Sequence, residues 1–170
     1  MDAGVREIIE AWHWMYFEAD LLFEGLRQEN LHRRPAPNLL AISEHVAHVV
    51  RSEASIVERY LFSRDESEWA DTLMRRKLFG WPPTMLEADI DQDLAMLSVD
   101  QVHEQLLWEH KRCYETALGL RLPASHTFAD GWDRCTSVRD RLRIAAYHVG
   151  YHAGQIYTVR HLLGEETPEN

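Results

Sequence analysis

The chain has 170 residues, the length of one domain of ordinary size, and we expect a single domain over residues 1–170. Hydrophobic residues make up 45% and charged residues 27%, a globular mixture that excludes a disordered tail, a collagen-like repeat and a disulfide miniprotein. The 28 acidic and 18 basic residues give a net charge of -10, which disfavours nucleic acids and anionic membranes as partners.

Two features of the sequence indicate a cytoplasmic protein. The N-terminal residues lack the basic start and apolar core of a secretion signal, and no stretch approaches the ~20 apolar residues of a membrane span. Cys113 and Cys135 form no Cys-x-x-Cys pair, so we expect both thiols to be reduced and no thiolate-rich zinc site. We interpret Cys113 as a small core residue and not as a nucleophile.

The first half of the chain carries apolar residues at helical spacing and almost no strand alternation. A first helix is expected over about 5–29, before Pro35 and Pro37 interrupt the chain, because proline cannot donate a backbone hydrogen bond. A second helix is expected over about 39–62. Residues 12–17 of the first helix are all bulky and cannot all face one core, which predicts self-association, with a homodimer as the expected state.

The second half of the chain predicts two further long helices. Ser98 opens the third with a capping box, and this helix runs through Leu118. Ser137 caps the fourth, over about 138–163, with Gly164 as its stop. Four helices of this length predict an all-α protein with the architecture of a four-helix bundle.

Residues 64–97 form a long insertion between the second and third helices. Short helices are expected within it over Glu66–Leu78 and Asp91–Leu97. Residues 119–136 form the other long connection. Long connections in a compact bundle are often functional.

The chain has ten histidines, and random placement alone predicts about 0.6 histidine pairs at the i,i+4 spacing. One such pair is therefore not informative by its spacing alone. The chain has one such pair, His148 and His152, and one i,i+3 pair, His45 and His48. On the fourth helix, His148, His152 and Gln155 share one arc beside the apolar stripe, which suits either metal ligands or hydrogen-bonded groove histidines. On the second helix, periodicity places His48 on the solvent side and His45 about 100° from the stripe.

Two segments resemble the DinB-like family of metal-dependent enzymes. Residues 42–53, ISEHVAHVVRSE, resemble its second helix, and residues 148–156, HVGYHAGQI, resemble its fourth. The resemblance implies a four-helix bundle with one divalent metal ion, Zn, Ni or Fe, bound by His48, His148 and His152. His45 competes with His48 for the place of the ligand on the second helix.

The resemblance also implies chemistry with a low-molecular-weight thiol, such as bacillithiol, mycothiol or a glutathione-like molecule. An ion held by three neutral imidazoles keeps its full charge and lowers the pKa of a bound water or thiol. We therefore predict a thiol-dependent S-transferase or a related hydrolase acting on a small molecule. The alternative is a non-catalytic metal-binding sensor or interaction module.

Several polar residues are candidates for roles around the metal or for none. Gln155 is a candidate for orienting a bound water, and Glu53 and Glu44 are candidates for base catalysis or for contacts to the metal-binding residues. Capping or surface roles are equally compatible with both carboxylates. The basic runs 75–77 and 139–143 are short and, in an acidic protein, are interpreted as solvated faces. A di-iron site is disfavoured because both Glu-x-x-His motifs fall on the first helix or its end.

Overall fold

The computed structural model describes residues 1–65, 89–130, 132 and 135–168. The described residues form helices and no strand, with one isolated antiparallel bridge between Thr127 and Ser137. The all-α prediction is therefore confirmed for this part of the chain. The elements are α1 (Ala3–Leu21), α2 (Gln28–Leu31), α3 (Ile42–Ala54), a π-helical segment that continues α3 (Ser55–Leu61), α4 (Gln92–Ala95), α5 (Val99–Leu118) and α6 (Val138–Leu162).

The starts of the long C-terminal helices follow from local side-chain chemistry. The Ser98 hydroxyl accepts from the Gln101 amide at 3.2 Å, and the Gln101 side chain accepts from the Ser98 amide at 2.9 Å. Ser137 and Asp140 form the same reciprocal pair at the start of α6. Gly164, at φ 76°, ends α6 where an L side chain would be strained. Both predicted caps and the predicted stop are confirmed.

The first helix is shorter than the expected span of 5–29. α1 ends at Leu21, and the backbone turns at Gly25, whose φ of 67° favours glycine, before α2 begins. A tertiary contact holds this turn, since the Arg160 guanidinium donates to the Leu22 and Glu24 carbonyls at 2.9 Å. Of the two helices expected in the insertion, α4 lies within Asp91–Leu97, whereas Glu66–Leu78 lies outside the described residues.

In the part of the chain that the structure describes, the four longest helices pack against one another in pairs. α1 packs on α5 and α6, and α3 also packs on α5 and α6. α1 and α6 run in the same direction, because Met15 meets Gly150 and Leu22 meets Arg160. α3 and α5 run antiparallel to α1 and α6. Fully buried side chains between them include Ile9, Trp12, Leu106, Leu142 and Ile156.

The position of Arg141 differs from its sequence-based prediction. Arg141, in a run expected to face solvent, is fully buried. It donates to the carbonyls of Tyr60 and Cys135 and to the Asp130 carboxylate, and it lies 3.8 Å over the Phe128 ring. A buried guanidinium needs such partners, and they come from the 119–136 connection and the π-helical segment. The run 75–77 lies outside the described residues.

Both cysteines are free and buried, and Cys113 donates to Glu109 at 3.0 Å within the core. The placement of Cys113 agrees with its interpretation as a core residue. Among the described residues, no helix is both long and apolar enough to cross a bilayer.

The C-terminal residues are held by the Glu165 carboxylate, which is buried against Arg160 at 2.8 Å and Asn30 at 2.7 Å. Burial alone would raise the pKa of Glu165, but hydrogen bonds from Asn30, the Arg27 amide and Arg160 outweigh it. The net effect is a pKa below its ordinary 4.5. Ionised Glu165 therefore stabilises the native state.

This stabilisation is expected to be complete above the ordinary pKa of Glu165 and to be lost as pH falls through the lower, native-state value. Glu165→Gln should therefore lower the free energy of unfolding at pH 7, and by less at about pH 4. Urea unfolding of both proteins at the two pH values measures the difference. A difference that is the same at both pH values would contradict the assignment.

Candidate metal centre

The helix α3 is buried on nearly all sides, which decides where its histidines point. Only His48 and Ser52 of α3 are less than fully buried, and they lie one turn apart on the same side. The periodicity of the sequence predicts that His48 lies away from the apolar stripe, and the structure agrees, since His48 is half-buried and lines the wall of an open cavity.

Three imidazole nitrogens converge between α3 and α6. The Nε2 atom of His148 lies 3.0 Å from that of His48 and 3.1 Å from that of His152. The three potential ligand atoms all lie within 4.8 Å of one another. The predicted residues on the two helices are therefore brought together, His48 among them.

Burial keeps these three side chains neutral. It lowers the pKa of His148 to about 4 and that of His48 to about 3, with a further lowering from the neighbouring histidines. Burial also lowers the pKa of His152 to about 4, against a hydrogen bond with Gln155 that raises it. Neutral imidazole is the form that binds a metal ion.

The three nitrogens are placed so that they could hold a cation. The Nε2 atom of a neutral imidazole carries either one proton or one lone pair. His148 Nε2 therefore cannot make good hydrogen bonds to both His48 and His152. A central ion would accept one lone pair from each ring, and nitrogens bound at about 2.0–2.1 Å in a tetrahedral site lie about 3.3–3.4 Å apart. The donor set fits Zn, Ni, Fe or Cu equally well.

His45 lies beside this centre and not in it. Its ring centroid is 5.7 Å from that of His152, and its buried Nδ1 has no hydrogen-bond partner among the described residues. Burial lowers the pKa of His45 to about 4. The nitrogen that converges with those of His148 and His152 therefore belongs to His48 and not to His45.

Gln155 and Glu44, two of the polar candidates, each make a defined hydrogen bond. The Gln155 amide donates to the Tyr151 hydroxyl at 3.2 Å, and the Gln155 side chain also contacts His152. A water-orienting role for Gln155 stays a prediction. Glu44 accepts from the Ala41 amide at 2.9 Å and thus caps the start of α3.

Glu53 lies in a buried hydrogen-bonded network that joins three helices. Its carboxylate accepts from the Tyr16 hydroxyl on α1 and from His110 Nδ1 on α5 at 2.7 Å. His110 Nε2 in turn lies 2.7 Å from Nδ1 of the exposed His13. Burial and the Glu53 carboxylate raise the pKa of Tyr16 well above its usual value, so its phenol remains a donor. The structure shows the contacts of Glu53 with Tyr16 and His110, whereas a catalytic role for Glu53 stays a prediction.

A cavity of about 290 Å³ opens beside the centre, and His48 and His148 form part of its wall. Two arginines and two serines supply its polar lining, and two aromatic rings and two isoleucines supply the rest. No carboxylate is found among the described lining residues. The further lining residues are Arg51, Ser52, Ser55, Ile56, Arg59, Tyr60, Trp132 and Ile144.

The sequence contains no signal that singles out this lining. Arg51 and Ser52 lie within residues 42–53, but no pattern in the sequence predicts a role for them. Arg59 and Tyr60 reach the cavity from the π-helical segment, whose wider turn redirects side chains relative to an α-helix. π-Helical turns are frequent at functional sites, and the periodicity of a sequence does not locate them.

The chain matches no family profile, and no curated protein matches it in sequence at a significant level.

Proposed function

We propose that this chain is a metal-dependent enzyme of the DinB-like kind, a four-helix bundle with residues 64–97 inserted between its second and third helices. His48, His148 and His152 hold one divalent ion. The reaction is transfer of a low-molecular-weight thiol to an electrophilic small molecule, or a related hydrolysis. The observation that supports this most strongly is the convergence of three neutral imidazole nitrogens at the wall of a cavity.

The metal supplies one thing to this chemistry when bound: it lowers the pKa of a thiol or a water molecule, so that the nucleophile forms at neutral pH. In the transfer, the sulfur forms a bond to the electrophilic carbon and the leaving group departs with the bonding electrons. The thiol proton passes to solvent. The protein contributes the position of both reactants.

The cavity suits a co-substrate that carries a negative charge. Arg59, which is exposed, and the buried Arg51 both line it. Ser52 and Ser55 line it as well. Because the whole chain carries a charge of -10, its surface repels anions, and a locally cationic cavity is needed to hold one. A carboxylate-bearing thiol matches this lining. The rings of Tyr60 and Trp132 are available to contact the apolar part of the electrophile.

The proposal is tested on protein reconstituted with Zn, Ni or Fe. Consumption of a fluorogenic bimane electrophile is followed with glutathione, cysteine, bacillithiol or mycothiol. Thiol-dependent turnover that requires the metal and is absent in His148→Ala is expected. Metal binding with no turnover by any thiol would favour the non-catalytic sensor or interaction module. Absence of metal binding would contradict both.

Substitution of Arg59 tests the cationic cavity. Arg59→Gln should raise KM for a carboxylate-bearing thiol about tenfold, because a charge-assisted hydrogen bond is replaced by a neutral one. The KM for a thiol without a carboxylate, such as 2-mercaptoethanol, should change little. Arg6→Gln, an exposed arginine on α1, is the matched control. Equal effects on both thiols would contradict a role in binding the anion.

A further inference from the structure

A second cavity, of about 240 Å³, lies between the start of α3 and the second half of α6. Along α6, His148 lines the arginine-lined cavity described above, Gln155 lines the second cavity, and His152 lies between them. Gln155 is about 10 Å along the helix from His148. The two cavities therefore flank the histidine centre along the same pair of helices. The lining residues of the second cavity are Asn38, Leu39, Leu40, His45, Gln155, Thr158, Val159 and Leu162.

The second cavity combines buried and exposed apolar residues. Leu40 and Val159 are each 4% exposed, whereas Leu39 is 37% and Leu162 59% exposed. An apolar molecule that covers exposed leucines at a concave surface removes apolar area from water, which is favourable. A protein cavity of about 150 Å³ holds benzene. The second cavity is larger and has room for one six-membered ring with a substituent.

His45 gives the second cavity a polar group without a partner. The residue is 6% exposed, and its buried Nδ1 makes no hydrogen bond with any described residue. A buried nitrogen in this state loses free energy that a hydrogen bond would restore. A hydroxyl group both donates and accepts, so it can pair with Nδ1 in either tautomer of a neutral imidazole. Gln155 and Thr158 already donate, to the Tyr151 hydroxyl and to the Gly154 carbonyl.

The lining of the second cavity also decides the charge of its ligand. Among its described lining residues there is no Asp, Glu, Lys or Arg. An ion bound there would lose hydration without gaining a counter-charge, so an uncharged molecule is favoured. The arginine-lined cavity, which contains Arg51 and Arg59, has the opposite preference. The two cavities are therefore suited to different classes of molecule.

We propose that the second cavity binds a small uncharged phenol or alcohol, whose apolar body contacts the leucines and whose hydroxyl group forms a hydrogen bond with His45. The three converging histidines do not line this cavity. The proposal therefore depends neither on the metal centre nor on the proposed reaction, and either can fail without the other.

An amide NMR titration of the whole chain with p-cresol, with and without one equivalent of zinc, is the first test. We expect p-cresol to bind in both conditions and to shift the amide signals of residues 38–45 and 155–162. 4-Methylbenzoate, which replaces the hydroxyl by a charged group, should bind there at least about tenfold more weakly. Absence of p-cresol binding would overturn the proposal, as would shifts centred on residues 48–60 or binding that requires zinc.

Substitution of His45 tests the hydrogen bond. His45→Phe keeps an aromatic ring and removes both nitrogens, so it should raise the Kd for p-cresol about tenfold. The Kd for toluene, which has no hydroxyl group, should not rise. His126→Phe, at an exposed histidine outside the cavity, is the matched control. An unchanged Kd for p-cresol in His45→Phe would overturn the assignment of His45, as would an equal rise for both probes.

Substitution of Leu162 tests the apolar contact at a position that the fold tolerates, because Leu162 is largely exposed. Leu162→Asn should weaken the binding of both p-cresol and toluene about fivefold, since apolar area is lost from the lining. Leu107→Asn is the matched control, since Leu107 is also a partly exposed leucine but lies on α5, outside the cavity. Equal affinities in the two variants would contradict binding in the second cavity.

Discussion

Replacing His148 by alanine is expected to reduce bound metal from about one equivalent per chain to near none. His148 Nε2 lies between those of His48 and His152, at 3.0 and 3.1 Å, so its loss leaves two nitrogens that do not enclose an ion. Loss of one of three protein ligands should weaken affinity by at least about 100-fold, more than the loss of an outer contact. Mass spectrometry of untagged protein after incubation with Zn or Ni measures the stoichiometry.

Substitutions on α3 decide which of its histidines is the ligand. His48→Ala should lose the metal as His148→Ala does. His45→Ala should retain it, because the His45 ring lies beside His152 and outside the converging nitrogens. His45 is the matched control, since it is a buried histidine on the same helix. The reverse result, with metal lost in His45→Ala and kept in His48→Ala, would exclude His48 from the site.

Replacing Glu53 by alanine is expected to lower the free energy of unfolding by about 3–5 kcal/mol, the usual cost of breaking a buried pair. Glu53 is 2% exposed, and its removal leaves the Tyr16 hydroxyl and His110 Nδ1 buried without their acceptor. For a chain of this length, such a loss lowers Tm by about 10 °C. Urea unfolding measures the free energy and differential scanning calorimetry the Tm.

Two further variants separate a structural role of Glu53 from a catalytic one. Glu115→Ala, at an exposed position on α5, should change stability by less than about 0.5 kcal/mol. Glu53→Gln keeps the shape and one acceptor oxygen and should be destabilised less than Glu53→Ala. If Glu53 acts as a base, Glu53→Gln abolishes turnover at temperatures at which it remains folded. Turnover that is reduced only in proportion to the unfolded fraction would show that Glu53 is structural.

Local features of the structure were predictable from neighbouring residues. The caps at Ser98 and Ser137 and the stop at Gly164 depend on atoms within a few residues of each other, and the structure has all three. The placement of His148 and His152 beside the core of one helix likewise follows from their spacing of four. The end of α1 was not predictable from neighbouring residues, because Arg160, near the other end of the chain, makes the hydrogen bonds that hold the turn after it.

The sequence by itself determined the helical class, the capped helix ends and the pair of histidines on α6, since these follow from helical periodicity and short-range hydrogen bonds. Only the tertiary structure decided that His48 meets that pair, that Glu53 joins Tyr16 and His110, and that Arg141 is buried. The physical reason is the same for each. Helical periodicity places His48 on the less buried side of α3, but only the packing of α3 on α6 brings the two histidines of α6 to that side.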